Sequence, residues 1–278
     1  MKRVSKEIIG ITGASGVLGS HFIKLYKSKF NFRIFKYKIE NKNKFKSWLK
    51  KNNDIKIFIH LAAISSIKET NRKIKETYNI NTFATIYLIK ELNKAKLKNF
   101  KYFLFSSSSH VYKPSFKKLS ENSIRKPETV YGKSKKKVED YIYKNRKKIN
   151  FKIGVARVFN FYSRNHGRGF FIQDIKKKLR LNRKILKINK INTPRDYIDL
   201  TQLCEILLFM INKKISKVIN IGSGKQLNLI NLVKQIKEKY KFKTKLELEN
   251  KKYPGLFANI NLLRKTGYKK KMKKFKLK

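Results

Sequence analysis

Apolar residues along this chain fall into short dense runs separated by longer stretches rich in lysine and asparagine. The runs Ile8-Ile9-Gly10-Ile11, 32–39, 55–61, Phe103-Leu104-Phe105, 151–159 and Val218–Ile221 read as strands buried in the interior of a sheet. Between them the apolar positions follow a helical period. Residues 20–29 carry Phe22, Ile23 and Leu25, and residues 81–94 carry Phe83, Ile86, Tyr87 and Ile89 on one face. Further helices are expected from Tyr131 to about Lys147, over 171–181, and over 229–240 with Leu229, Leu232, Val233 and Ile236 aligned. A short strand is expected at Ile185–Ile188. Strand alternating with helix predicts an α/β fold, a parallel doubly wound sheet.

The first strand runs into Thr12-Gly13-Ala14-Ser15-Gly16-Val17-Leu18-Gly19, a GxxGxxG spacing that opens a helix. Strand, glycine turn and helix together form a place where backbone can approach a pyrophosphate and free N–H groups can bind it. Gly13, Ser15, Gly16, Val17, Leu18 and Gly19 are therefore candidate dinucleotide contacts. Where such folds place an acid on the adenosine ribose, this chain has Tyr37 between Lys36 and Lys38. The missing acid leans toward a 2′-phosphate, hence NADP, with Lys38 as its contact. Glu40 is close enough in sequence to keep NAD open. After the third strand, Leu61, Ala62 and Ala63 are small enough for a flat cofactor to lie close, and His60 is expected to be packed rather than catalytic.

The strand at Phe103 ends in Ser106-Ser107-Ser108-Ser109-His110-Val111-Tyr112, and Tyr131-Gly132-Lys133-Ser134-Lys135 opens the next helix. Residues four apart share a helical face, so Tyr131 and Lys135 can address one small volume. A hydroxyl, a phenol and an ammonium suit proton and hydride transfer at a carbinol carbon. Ser163 to Gly169 is a loop with Arg164, His166 and Arg168, and Thr193-Pro194-Arg195-Asp196-Tyr197-Ile198-Asp199 and Gly222-Ser223-Gly224 are turns.

Composition changes this picture in one respect. The 278 residues carry 71 Lys+Arg against 17 Asp+Glu, a formal charge of +54. The basic residues are spread over nearly every segment rather than gathered in a stripe, so most are expected to be solvated and nucleic acid is not the expected partner. A hydrophobic content of 41% excludes a disordered chain. The lone Cys204 lies in an apolar run, excludes an internal disulfide, and reads as a packed helix residue in a reducing compartment. No apolar run is long enough to span a membrane. Glu7 and the glycines after Met1-Lys2-Arg3 argue against a signal peptide, so a cytoplasmic location is expected. No metal site is indicated. The basic end, 269–278, reads as a solvated or frayed tail.

Taken in order, these blocks resemble the extended short-chain dehydrogenase/reductase family, the NAD-dependent nucleotide-sugar epimerases, dehydratases and reductases. The resemblance runs through 12–19, 60–63, 81–85, 106–112, 131–135, 157–160, 195–199 and 220–224. It implies a Rossmann domain over 1–161 and about 193–222, and a smaller α+β substrate lobe over about 162–192 and 223–278. It implies that Tyr131 is the acid/base and that Lys135 binds the nicotinamide ribose and depresses the Tyr131 pKa. Ser108 holds the substrate oxygen in that scheme, and Asn160 and Arg195 meet the diphosphate of a nucleoside-diphosphate sugar. The implied activity is oxidoreduction or epimerisation at the sugar C4, by a 4-epimerase or a 4-ketosugar reductase with NAD or NADP, and a homodimer is a candidate assembly.

Departures narrow the choice. Ser109-His110 stands where the family's dehydratases resemble Asp-Glu, so a 4,6-dehydratase is not expected. His110 is a further catalytic candidate, standing where GDP-fucose-forming epimerase-reductases resemble a Cys. The family's Gly-Pro is replaced by Ser163-Arg164, and its usual acid near Ile198 by Gln202. The competing class is a non-catalytic Rossmann-fold protein that binds RNA or another polyanion through its charge.

Overall fold

The computed structural model describes residues 6–277 other than 96, 168, 182, 183, 274 and 276. Arg168 and part of the 269–278 tail lie outside the described residues. Strand β1 (Glu7–Thr12) turns into α1 (Val17–Tyr26), followed by β2 (Phe30–Ile34), α2 (Lys42–Lys51) and β3 (Ile57–His60). Helices α3 (Ile67–Arg72) and α4 (Ile74–Tyr78) lead through a π-helical turn, Asn79–Ala84, into α5 (Thr85–Lys94). Then come β4 (Tyr102–Ser108), α6 (Val130–Asn145), β5 (Lys152–Val158), β6 (Asn160–Phe161), α7 (Phe171–Arg180) and β7 (Ile185–Ile188). The chain continues through β8 (Pro194–Arg195), β9 (Tyr197–Ile198), α8 (Leu200–Lys213), β10 (Val218–Ile221), β11 (Leu227–Asn228), α9 (Leu229–Lys239), β12 (Lys245–Leu248) and α10 (Asn261–Lys265).

Six strands pair in the order β10-β5-β4-β3-β1-β2. Every pairing in this sheet is parallel, which is the doubly wound arrangement the strand–helix alternation predicts. From β1 the chain moves to β2 on one side and then returns to β3 on the other, so the winding reverses between β1 and β3. Carboxyl ends of strands flanking such a reversal form a ligand crevice. The glycine turn follows β1 and Leu61–Ala63 follow β3, which puts both candidate segments at that crevice.

Each face of the sheet has its own core. Ile9, Ile11, Ile57, Ile59 and Leu104 meet α1 and α8, whose Leu203, Ile206, Leu207 and Met210 are buried. Cys204 packs there as well, and burial pushes its thiol up to about 12, so it is an inert core residue. On the other face Phe58, Phe103, Phe105, Val138 and Leu88 join α2, α5 and α6. A third cluster gathers α7, β7 and α9 through Ile172, Leu179, Leu186, Leu232 and Val233. There β7 pairs in parallel with β12.

Four elements differ from the sequence reading. The second strand covers Phe30–Ile34, not 32–39. Phe35 and Ile39 leave the sheet to bury against Phe45, Trp48 and Phe58, a set of edge-to-face and stacked rings that outweighs two more ladder positions. Helix α2 lies in a Lys- and Asn-rich stretch where no helix is expected; Phe45, Trp48 and Leu49 are its apolar face, and the Asn41 side chain accepts the Lys44 N–H at 3.0 Å as N-cap. The helix expected over 81–94 begins as a π-turn. Several described residues of the tail are packed rather than frayed: Met272 is buried, Lys273 N–H donates to Gln202 Oε1 at 2.7 Å, and Phe275 and Leu277 pack on the third cluster. Among the described lysines only Lys135 and Lys176 are buried, so the charge is overwhelmingly solvated. No helix among the described residues is long and apolar enough to cross a membrane.

Candidate active site

A cavity of about 630 Å³ opens at the carboxyl ends of the strands. Its walls include Gly13, Gly16, Val17, Leu18, Gly19, Leu61, Ala63, Ser108, His110, Tyr131, Lys135, Asn160 and Arg195. The fold thus gathers most of the candidate residues from segments remote in sequence. Three do not line it. Ser15 is exposed, Ala62 lies behind Gly13, and Lys38 is exposed three residues past the point where β2's successor Phe35 still bonds Ile11. Because β2 is shorter than expected, Lys36 is the first basic side chain beyond the strand tip.

The glycine turn is shaped for backbone approach. Gly13 has φ +72°, and a Cβ there would stand 2.6 Å from Ala62 N. A Cβ on Gly19 would stand 2.1 Å from the Gly13 carbonyl oxygen, so helix and turn touch with no room for a side chain. The N-cap of α1, Gly16, provides no side-chain acceptor. The first-turn N–H groups of α1 are therefore left for a ligand, and their partial positive charge suits a phosphate. The residues present fit a dinucleotide's pyrophosphate.

Across the crevice, the Ser108 hydroxyl lies close enough to the Tyr131 phenol to favour its ionised form, and it accepts the His110 N–H at 3.2 Å. Lys135 Nζ donates to the Ser106 carbonyl at 2.8 Å and lies 5.9 Å from the Tyr131 ring centre. Tyr131 sits in the first turn of α6 because Thr129 caps it, its hydroxyl accepting the Gly132 N–H at 3.0 Å. Thr129→Ala should cost about 1 kcal/mol of stability, read as a lowered denaturation midpoint with unchanged slope.

Burial pushes Tyr131 up to about 12, eased by the nearby Ser108 hydroxyl, and burial pulls Lys135 down to about 7, opposed by the Glu139 charge. Desolvation is the largest influence on both groups, so burial favours the protonated phenol. His110 lies with its ring 5.9 Å from that of Tyr131, and burial beside the Arg195 charge pulls it down to about 4. It is a neutral imidazole at pH 7. His60 is fully buried between Thr12 Oγ1 (2.7 Å) and Thr85 Oγ1 (2.8 Å).

Arg195 enters from the opposite wall. Its neighbour Asp196 turns away and accepts the N–H groups of Ser223 (2.7 Å) and Gly224 (2.9 Å), pinning the 222–224 turn. Asn160 is tied to the same strand, its side-chain amide donating to the Asp196 carbonyl at 3.2 Å. Arg195 is half-buried and makes no side-chain hydrogen bond or close ion pair among the described residues; Tyr197 and Glu128 lie near enough to favour its charge, and burial lowers its pKa. A guanidinium with donors to spare at a cavity wall suits an anion.

Two contributors carry no role in the sequence reading. Asn81, buried in the π-turn, exchanges two bonds of 2.9 Å with the backbone of Ile64 and donates to Ser134 Oγ at 3.2 Å. Ser134 in turn donates to the Tyr131 carbonyl at 2.7 Å, so Asn81 fixes the helix turn between Tyr131 and Lys135. Extra-residue turns of this kind recur at functional sites. Glu139, one turn beyond Lys135, is buried and accepts the Ser107 hydroxyl at 2.5 Å; its four-residue spacing from Lys135 was its only sequence signal.

A doubly wound parallel sheet, a glycine turn at its winding reversal and a phenol beside a lysine define a dinucleotide-binding type of fold with a second wall that carries the Arg195 cation. The chain belongs to the NAD dependent epimerase/dehydratase family, whose model matches residues 9–222. It is 28% identical over 224 residues to a GDP-6-deoxy-D-talose 4-dehydrogenase of Aggregatibacter actinomycetemcomitans, covering 77% of this chain and 74% of that one. It is 25% identical to a putative UDP-glucose 4-epimerase of Methanocaldococcus jannaschii, over 85% of this chain and 83% of that one. Its fold matches RMD from Pseudomonas aeruginosa complexed with NADPH, with TM-score 0.79 and 20% identity, covering 94% of this chain and 92% of that one.

Proposed function

We propose that this protein reduces the 4-keto group of a nucleoside-diphosphate sugar with NADPH. The observation that carries the reading is the convergence, in one cavity, of Ser108, Tyr131 and Lys135 with Arg195, whose guanidinium makes no side-chain hydrogen bond among the described residues. One wall suits a carbonyl that gains a proton and the other suits a diphosphate.

A bound nicotinamide would supply the hydride. The chain's own part is to hold and protonate the ketone: the Ser108 hydroxyl orients its oxygen, and the Tyr131 phenol gives that oxygen a proton as the carbinol forms. Reduction begins from a protonated phenol, which burial favours; an epimerase must begin by accepting a proton from the sugar hydroxyl. Lys135 is placed to hold the cofactor ribose and to return charge balance as Tyr131 loses its proton. Asn160 and Arg195 bind the diphosphate.

The cofactor choice rests on the tip of β2. Lys36, Tyr37 and Lys38 are all exposed there and no acid precedes Glu40, an arrangement that favours a 2′-phosphate over a free ribose hydroxyl. Lys36→Glu should raise the NADPH KM roughly tenfold or more, the value of a lost charge-assisted bond, and leave kcat at saturation unchanged. Dehydration is not proposed. Among the described residues Asp174 is the cavity's only carboxylate, and it sits on α7 accepting the Gly169 N–H at 2.9 Å.

The second reading is an NAD-retaining 4-epimerase, favoured by the similarity to the Methanocaldococcus protein. Purified protein mixed with NADPH and nucleotide 4-ketosugars separates the two. Stoichiometric NADPH oxidation supports the reductase, whereas tightly held NAD and C4 inversion without net oxidation supports the epimerase. Binding of RNA that falls steeply with salt, with neither activity present, would favour the polyanion-binding alternative.

A further inference from the structure

The serine row at the end of β4 is gripped residue by residue from α6. Tyr131, Lys135 and Glu139 are spaced four apart and present successive turns to the strand. Tyr131 meets the Ser108 hydroxyl, Lys135 donates to the Ser106 carbonyl at 2.8 Å, and Glu139 accepts the Ser107 hydroxyl at 2.5 Å. Ser107 stands directly opposite Arg157 in the β4–β5 ladder. Arg157 holds the same carboxylate, through Nη2 at 2.6 Å and Nε at 3.0 Å.

The grip extends past the turn. Arg157 Nη1 donates to the Tyr112 hydroxyl at 2.7 Å, and Tyr112 donates to Asn220 Oδ1 at 2.6 Å. The segment between Ser107 and Tyr112, which contains Ser108 and His110, is therefore anchored at both ends by one ion pair. It has no slack on its α6 side, since a Cβ on Gly132 would stand 2.0 Å from the His110 carbonyl oxygen. Both side chains of the pair are 3% exposed. A buried ion pair is a weak source of net stability, because desolvation offsets its attraction, so holding geometry is the use that remains for it here.

We propose that Glu139, gripped by Arg157, is a positioning residue that sets the Ser108 hydroxyl against the Tyr131 phenol and places a negative charge behind the Lys135 ammonium. The inference rests on the roles given above to Tyr131 and Lys135. The titratable groups facing Lys135 are Tyr131 and Glu139 on α6 and His60 at the end of β3. Only Glu139 carries a charge that favours the ammonium; burial opposes it. Removing that charge lets Lys135 lose its proton at lower pH, so the alkaline limb of the rate profile moves toward acid.

The test compares Glu139→Gln and Ser107→Ala with the unmodified protein. Glu139→Gln should lower kcat about 100-fold, the effect of a misplaced reacting group, with KM for NADPH and sugar near their original values and the alkaline limb displaced to lower pH. Ser107→Ala leaves the ion pair in place; it should lower kcat without moving the limb, and Ser107→Thr should restore it. Hydrogen exchange at 108–112 needs no substrate and should quicken in both Glu139→Gln and Ser107→Ala. Unchanged exchange there, or a folded Glu139→Gln with unchanged kcat and pH profile, overturns the proposal. Faster exchange in a protein whose unmodified form turns over no ketosugar leaves the clamp standing and refutes the reductase reading instead. If Glu139→Gln does not fold, Ser107→Ala carries the test alone.

Discussion

Tyr131→Phe should lower ketosugar reduction by about 100- to 10,000-fold, the range that a general acid contributes. NADPH binding, followed by its fluorescence, should stay close to that of the unmodified protein. The substitution keeps the ring and its packing and removes only the oxygen that meets Ser108. The phenol, held up at about 12 by burial, is a donor throughout the neutral range. His110, pulled down to about 4, carries no proton to give as an imidazolium at pH 7. Full activity in Tyr131→Phe would remove Tyr131 from the mechanism and make the Ser108–Lys135 arrangement a structural one.

Gly19→Val should weaken dinucleotide binding roughly 5- to 150-fold, the equivalent of about 1–3 kcal/mol for overpacking a close contact. The clash is with backbone: the new Cβ would meet the Gly13 carbonyl oxygen at 2.1 Å and its carbon at 2.9 Å. Gly13 cannot retreat, since it already lies against Ala62 and holds φ +72°. Helix α1 must therefore move away from the turn, and its first-turn N–H groups move with it. Titration with NADPH, alongside a melting curve, checks this. Unaltered affinity would show that the pyrophosphate does not rest on this turn.

Much of the sheet was legible because its strands are buried on both faces and so are continuous apolar runs. β3, β5 and β10 fall within the expected runs, and β1 and β4 contain theirs and extend past them at both ends. The edge strand β2 was read too long for the same reason turned round. Phe35 and Ile39 are apolar, and nothing local distinguishes a side chain bound for the sheet from one bound for the ring cluster around Phe45 and Trp48. Helix α2 was hidden by composition: its lysines are solvated, and three apolar residues are its whole buried face. The tail misled similarly, since Met272, Phe275 and Leu277 are scattered among basic residues and find their partners only in distant elements.

In the site, the glycine turn and the Tyr131–Lys135 spacing were legible because each depends on local geometry, a tight turn and one helical face. The chain by itself thus determined an α/β fold, a glycine turn shaped for a pyrophosphate and a phenol and an ammonium on one helical face. What the tertiary structure alone decided is everything that depends on desolvation and on partners far along the chain. It pushed the Tyr131 phenol up and drew Lys135 down toward neutrality, because both are taken out of water by neighbours from other elements. It left the Arg195 guanidinium without a side-chain hydrogen bond among the described residues while Asp196 beside it was engaged by the 223–224 turn. It also turned Ser107, one of four adjacent serines, into the hydroxyl held by Glu139. The serines are chemically identical, and only the register of β4 against β5 and α6 tells them apart.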